Sequence, residues 1–408
     1  MSNSADIKVS AVSRPFIISA GVLVFAGSIV GSFWMMSLLG ANIPYMKEVF
    51  SLHKVLQVNG FLTLLIMGVG YMIVPRFRNA VLPSSKLAYI SLVLVLISVA
   101  SATIISRLDE NVITMLGTIA QFSGVTIFAA LTLWMMRIKP RLLRMADYFI
   151  ALSLITLVAI NLLQLVGYPA GNHLSQVQLW LLFPILMIFG IEYKTLPSFL
   201  GFIRPAKKLS VLSLGLSALT VTLGIFSAVY ASLALATVFN VMLLGCAITF
   251  ACSVYIFGGF DNSEILGFIQ GEKKMRYVYT LLHSRLAFVF LYAGIAMAAL
   301  FSNFSNSYIL YDLAIHYTAI GFIGITIALY LPLMLPPIIG RMVHFTRFNS
   351  IPILLVVTAL VMRTGGDIAI TAQLASNANY FMMMSGWLVV SALFVFVSMI
   401  HRGMEKIG

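Results

Sequence analysis

Six histidines are the side chains of this chain best suited to hold a metal, and their depth in its apolar runs sorts them. His53, in "LHKVLQVNGFLTLL", and His316, in "DLAIHYTAIGFIG", each sit about one helical turn inside a long apolar run. His173 opens another run, whereas His283, His344 and His401 lie near the opposite ends of theirs. A neutral imidazole is a common metal ligand, and an ionisable group at membrane depth is a functional candidate by default. A single such histidine is explained as well by a hydrogen bond between two helices. Two at one depth, on helices that start from the same face, point further: an iron porphyrin between them takes one axial nitrogen from each. Tetrahedral zinc would need about three or four nearby ligands, and only two are offered.

A heme brings two propionates, which need positive partners. Arg363, in "LVMRTGGD", is the only arginine in the outer half of the apolar runs, and its planar fork matches a carboxylate. Snorkelling to the outer headgroups is the alternative. Asp312, four residues before His316, shares its helix face; it is placed to accept from a ligand imidazole or to meet outer-face water. His283 with Arg285, and His344, lie near the other face, where copper or a second heme competes with ordinary interface polarity. Glu192 and Lys194, in "GIEYKTLP", point to different faces; a proton path is conceivable there, and inward snorkelling of Lys194 is simpler. Met382, Met383 and Met384 offer sulfur to heme or Cu(I), but core packing is the commoner use of methionine. The chain holds no phosphate-binding glycine loop, zinc signature or nucleophile elbow.

The elements that must carry these residues are membrane helices. Of 408 residues, 61% are hydrophobic and 9% charged, against roughly 25% charged in a soluble domain. Twelve runs are long enough to span, at roughly 15–40, 51–75, 85–106, 111–136, 146–168, 175–200, 208–231, 233–257, 279–301, 311–337, 350–371 and 379–400. The backbone must satisfy itself at that depth, so each reads as a helix of one transmembrane domain covering 1–408. The net charge of +13 reflects topology rather than nucleic-acid binding. Arg76, Arg78, Lys86, Arg137, Arg144, Arg204, Lys207, Arg276, Arg341 and Arg402 fall on one side, which places both termini in the cytoplasm. The first run is long enough to span, so it is not read as a removed signal peptide. Cys246 and Cys252 share one helix on different faces, which suits packing rather than a disulfide or a joint metal site.

A repeat is also visible. "FLTLLIMGVGYMIVPRF" from Phe61 and "FPILMIFGIEYKTLPSF" from Phe183 share Phe, Gly, Tyr, Pro and Phe at identical spacing, 122 residues apart. The tenth run, with "ALYLPLMLPP", echoes them. Three pseudo-repeated four-helix blocks are expected.

With these residues in view, "AIHYTAIGFIGITIALYLPLMLP" resembles helix 10 of the catalytic subunit I of heme-copper oxidases and their nitric oxide reductase relatives. "LHKVLQVNGFLTLLIMGVGYMIVP" is similar to their helix 2, and "VMRTGGD" to their propionate-binding arginine segment. The resemblance implies that His53 and His316 ligate a low-spin heme b and that Arg363 holds propionates. It also implies a loss. The high-spin heme ligand of helix 10 is Ala314 here, the helix 6 copper ligand falls at or beside Phe183, and helix 7, "SVLSLGLSALTVTLGIF", has no histidine. The chain most resembles the NnrS proteins, twelve-helix heme binders linked to nitric oxide resistance, through "LLHSRLAFVFLYAG", "IHYTAIGFIG" and "GRMVHFTR". The last segment departs from that family's Gly-His-Thr-Gly-Arg order, and Tyr-Lys replaces Gly-Arg before Pro197.

The expected function is therefore electron transfer, or a nitric oxide response, by a multi-pass cell-membrane protein with one bis-histidine heme b and no copper site. Any enzymatic activity would be redox chemistry short of full oxygen reduction. The expected partners are lipid, an electron donor and membrane subunits. A twelve-helix transporter, with prolines breaking helices 2, 6 and 10, is the alternative; a divergent nitric oxide reductase is a third reading.

Overall fold

The structure is a computed structural model that describes residues 4–43, 46–104, 110–137, 144–167, 173–199, 204–258, 270–301, 307–336, 349–372 and 378–403. Twelve helices among them are long and apolar enough to cross a membrane. They are α1 (Ser4–Leu38), α2 (Met46–Lys54, continuing to Arg78), α3 (Ser85–Ile104), α4 (Glu110–Arg137), α5 (Met145–Leu165) and α6 (His173–Phe199). The others are α7 (Lys207–Tyr230), α8 (Leu233–Ser253), α9 (Glu272–Phe301), α10 (Tyr308–His316, continuing to Met334), α11 (Ile351–Thr371) and α12 (Ala378–Gly403). The described structure is all-helical, as the apolar runs require. The helices outrun those runs at two places. α1 begins at Ser4 and α9 at Glu272, because polar turns such as "EKKMRYV" continue the helix after hydropathy stops marking it.

α6, α2 and α10 are the most enclosed, with 89%, 72% and 50% of their apolar windows buried. Sequence neighbours pack in pairs, most extensively α7 on α8, α11 on α12 and α3 on α4, and α1 also packs on α12. Phenylalanines fill the space among α5, α6, α8, α9 and α10: Phe189 stacks on Phe250 at 3.9 Å and on Phe288 at 6.0 Å, and Phe322 meets Phe288 edge-on. Cys246 is buried and Cys252 exposed, so packing explains only the first, whose Sγ lies 2.9 Å from Ser217 Oγ.

The prolines do not break the helices as the transporter reading required. Pro75 and Pro332 lie inside continuous helix. The interruptions lie elsewhere, as eight-residue π-helical segments at Val55–Leu62 in α2 and Tyr317–Gly324 in α10. Each begins within two residues of His53 or His316. A π segment widens the turn and often marks a functional position.

α1 meets α2 through Gly27 and Gly31, one turn apart. A Cβ on Gly31 would come within 2.6 Å of His53 Cε1 and Nδ1, and one on Gly27 within 2.9 Å of Gln57 Nε2. Two small residues at this spacing let membrane helices approach closely. Gly31→Ala is therefore expected to displace the His53 ring and destabilise the protein by about 1–3 kcal/mol, measured as a lowered thermal midpoint in detergent; Gly21→Ala, where a Cβ meets nothing within 4 Å, is the neutral control.

Candidate heme site

α2 and α10 do not pack closely on each other along their length. His53 and His316 occupy the stretches that face this gap, and His53 lies within electrostatic reach of His316, Arg363 and Asp312. The structure thus gathers the four residues that the sequence singled out for a cofactor.

Each imidazole is held by its Nδ1. His53 Nδ1 lies 2.7 Å from the Gly27 carbonyl oxygen of α1. His316 Nδ1 lies 2.8 Å from the Asp312 carbonyl oxygen, one turn back, and 3.2 Å from the Asp312 carboxylate. A carbonyl oxygen only accepts, so Nδ1 carries the proton in both rings. The neutral ring then presents Nε2 as a bare lone pair, and neither Nε2 has a hydrogen-bond partner among the described residues. This is the tautomer a metal-ligating histidine needs, fixed from behind by a main-chain acceptor. In α10 the bond to Asp312 falls at the turn before the π segment begins.

Arg363, 9% exposed, forks Asp312 side-on: Nη2 donates to Oδ1 at 2.7 Å and Nε donates to Oδ2. It is buried and ion-paired, so it does not snorkel, and two of its donor nitrogens are already engaged. Asp312, 4% exposed, therefore joins Arg363 to the back of the His316 ring rather than meeting outer water. Asp367, one turn along α11 and likewise buried, lies within reach of Asp312 and Arg363, and its Oδ2 has no hydrogen-bond partner. Tyr317 and Thr364 add a 2.6 Å hydroxyl contact between α10 and α11. Asp367 was legible as the residue four beyond Arg363 on the same face. Gly27, whose carbonyl orients His53, carries no side-chain signal beyond its four-residue spacing from Gly31.

The second site has less to build on. His283 is buried, with Nδ1 2.7 Å from the Tyr279 carbonyl and its ring on that tyrosine. Arg285 Nε donates to the Ile256 carbonyl at 2.8 Å. His344 lies outside the described residues, as does Arg341. Among the described residues no group of three or more His, Cys, Asp or Glu is placed to hold a metal ion together. Met382 is buried over Gly366, and Met384 is exposed. Ala314, at the position of the absent ligand, is buried and packs with Ala298 of α9.

Deeper between α2, α6 and α10 lies a cavity of about 70 Å³, lined by Leu62, Leu65, Met187, Ile323, Glu192 and Tyr330. Glu192, 1% exposed, and Tyr330 are neighbours, as are Tyr330 and Ser284. Glu192 Oε2, Tyr330 Oη and Ser284 Oγ all lack a hydrogen bond of good geometry. Such a trio suits bridging by water. Glu192→Leu is expected to raise stability by about 1 kcal/mol, since an unpaired buried polar atom costs more than the apolar group replacing it. The check is the thermal midpoint of the solubilised variant.

Compared with protein-family models and with curated proteins, the chain matches none.

Proposed function

We propose that the chain is a membrane cytochrome in which His53 and His316 would hold one b-type heme in the α2–α10 gap. The observation that carries this reading is the pair of Nδ1-anchored imidazoles, on two helices held apart, each with Nε2 free. The residues present suit the group. Both rings are in the ligating tautomer, Gly31 gives one ring room, and Arg363 and Asp312 place charge beside the other.

The bound group would supply reversible one-electron chemistry. The protein's part is to hold both rings, exclude water and set the local charge. The Gly27 carbonyl keeps the His53 ring from turning. Asp312 holds the His316 ring through its carbonyl oxygen and places negative charge behind Nδ1. Arg363 offsets that charge by holding the same carboxylate, and its remaining donors are available to a propionate.

Two histidines holding the group would suit electron transfer or a nitric oxide response rather than turnover of oxygen. The phenylalanine packing among α6, α8, α9 and α10, and Ala314 against Ala298, support one heme and no copper centre. We read the chain as a divergent relative of heme-copper oxidase subunit I, near the NnrS proteins. On this reading three four-helix blocks place α2, α6 and α10 inside, the basic ends face the cytoplasm, and the chain works with an electron donor and other membrane subunits in the cell membrane. The deciding measurement is a reduced-minus-oxidised spectrum of the purified protein with a pyridine hemochrome assay. A sharp low-spin b-type band near one heme per chain supports the proposal; a folded, colourless protein refutes it.

A further inference from the structure

At the basic end of the bundle, away from the heme residues, Arg144, Lys194 and Lys207 line one cavity of about 290 Å³ with Tyr193 and Ser210. The three cations come from the start of α5, the end of α6 and the start of α7. No acid lines it among the described residues. The acid nearest along the chain, Asp147, spends Oδ2 on the Arg144 backbone N–H at 2.8 Å and on Arg78 Nη1 at 3.4 Å. Lys194 lies within electrostatic reach of Arg144 and of Asp147, and has Nζ 5.8 Å from the Phe77 ring centre. Topology accounts for basic residues on this side, but not for three of them converging on one concavity.

The backbone adds to the field. α5 and α7 both begin at this cavity; at α5 the first-turn Asp147 accepts the Arg144 backbone N–H, whereas Ala206 has no acceptor to offer α7, whose first turn holds no acid. The uncapped start of α7 presents free N–H groups and the positive end of its dipole. Tyr193 and Ser210 have already committed their hydroxyls, to Ser253 Oγ at 2.7 Å and the Ala206 carbonyl at 3.0 Å, so they shape the wall rather than neutralise it. Like charges this close repel, and a tetrahedral oxyanion relieves that repulsion while taking donors from three directions.

We propose that this cavity is a phosphate-group site at the membrane surface, taking the headgroup of an anionic phospholipid or free phosphate. Lipid headgroups reach such interhelical basic pockets from the adjoining leaflet.

The test is the thermal midpoint of the full-length protein in neutral detergent. Phosphatidylglycerol is titrated against phosphatidylcholine, and inorganic phosphate against chloride at equal ionic strength. The lipid source predicts a saturable rise with phosphatidylglycerol alone; the free-phosphate source predicts one with inorganic phosphate. Arg144→Gln, Lys194→Gln and Lys207→Gln are each expected to weaken the titration about threefold, and together to abolish it. A control removing the exposed Arg14, Lys86 and Lys274 takes away as much charge from outside the cavity and is expected to leave it intact. Should the triple variant not fold, Lys207→Gln alone, at the exposed start of α7, decides. Equal responses to anionic and control additives, or equal loss in the site and control variants, overturn the proposal.

Discussion

Purified His316→Ala protein is expected to lose its b-type band, and His53→Ala to lose it as well, because on the proposed reading both rings would be needed to hold the heme. Removing a residue that merely orients a metal ligand typically costs about 10–100-fold in metal affinity, so removing the ligand itself should cost at least the upper end. His283→Ala is the internal control: it removes a more fully buried imidazole, also anchored through Nδ1, away from His53 and His316, and is expected to keep the band. Two further measurements separate ligand loss from misfolding. The helical circular dichroism of both variants should match that of the parent. Added imidazole should partly restore the band, because alanine leaves a hole of the ring's own shape beside Gly31 or Asp312. If both variants keep the full spectrum, some other pair of ligands must be sought. If His53→Ala alone keeps it, α2 is a wall of the site and not a ligand helix.

The twelve helices were legible because a bilayer imposes a length and composition that few other structures share. Their ends were less so: the starts of α1 and α9 carry polar residues that hydropathy does not mark as helix. The two most enclosed helices, α6 and α2, are those that carry the Phe-Gly-Tyr-Pro-Phe pattern. The depth shared by His53 and His316 was readable from the runs, and so was the common face of Asp312 and His316. The Arg363–Asp312 pair joins residues 51 apart on different helices, and depth alone could not tell an ion pair from snorkelling. The π segments had no signature, since the wider turn is selected by tertiary contacts and not by any residue pattern. Sequence logic looked for interruptions at prolines instead, a feature that suited the transporter alternative. Continuous helix through Pro75 and Pro332 removes the broken-helix feature on which that reading leaned.

The second large effect should come from the Asp312–Arg363 pair, and it should be asymmetric. Breaking a buried pair by deleting one partner costs about 3–5 kcal/mol, because the other charge is left uncompensated. A carboxylate can escape that cost by binding a proton, whereas guanidinium cannot shed its charge. Arg363→Met is therefore expected to be the milder change, since Asp312 and Asp367 can share a proton between them. Asp312→Ala should be harsher, with Asp367 as the remaining counter-charge to Arg363, and Asp312→Ala with Asp367→Asn harsher still. Replacing both partners, as Asp312→Asn with Arg363→Gln, should recover much of the loss. Chemical unfolding in detergent, followed by circular dichroism, ranks the four variants. One further variant separates a structural pair from one that also serves His316. Asp312→Asn keeps the Asp312 backbone carbonyl that holds Nδ1 but removes the negative charge behind the ring, so it should raise the midpoint potential while the band persists. A potential equal to the parent's would mean that Asp312 stabilises α10 against α11 and does nothing for the ligand.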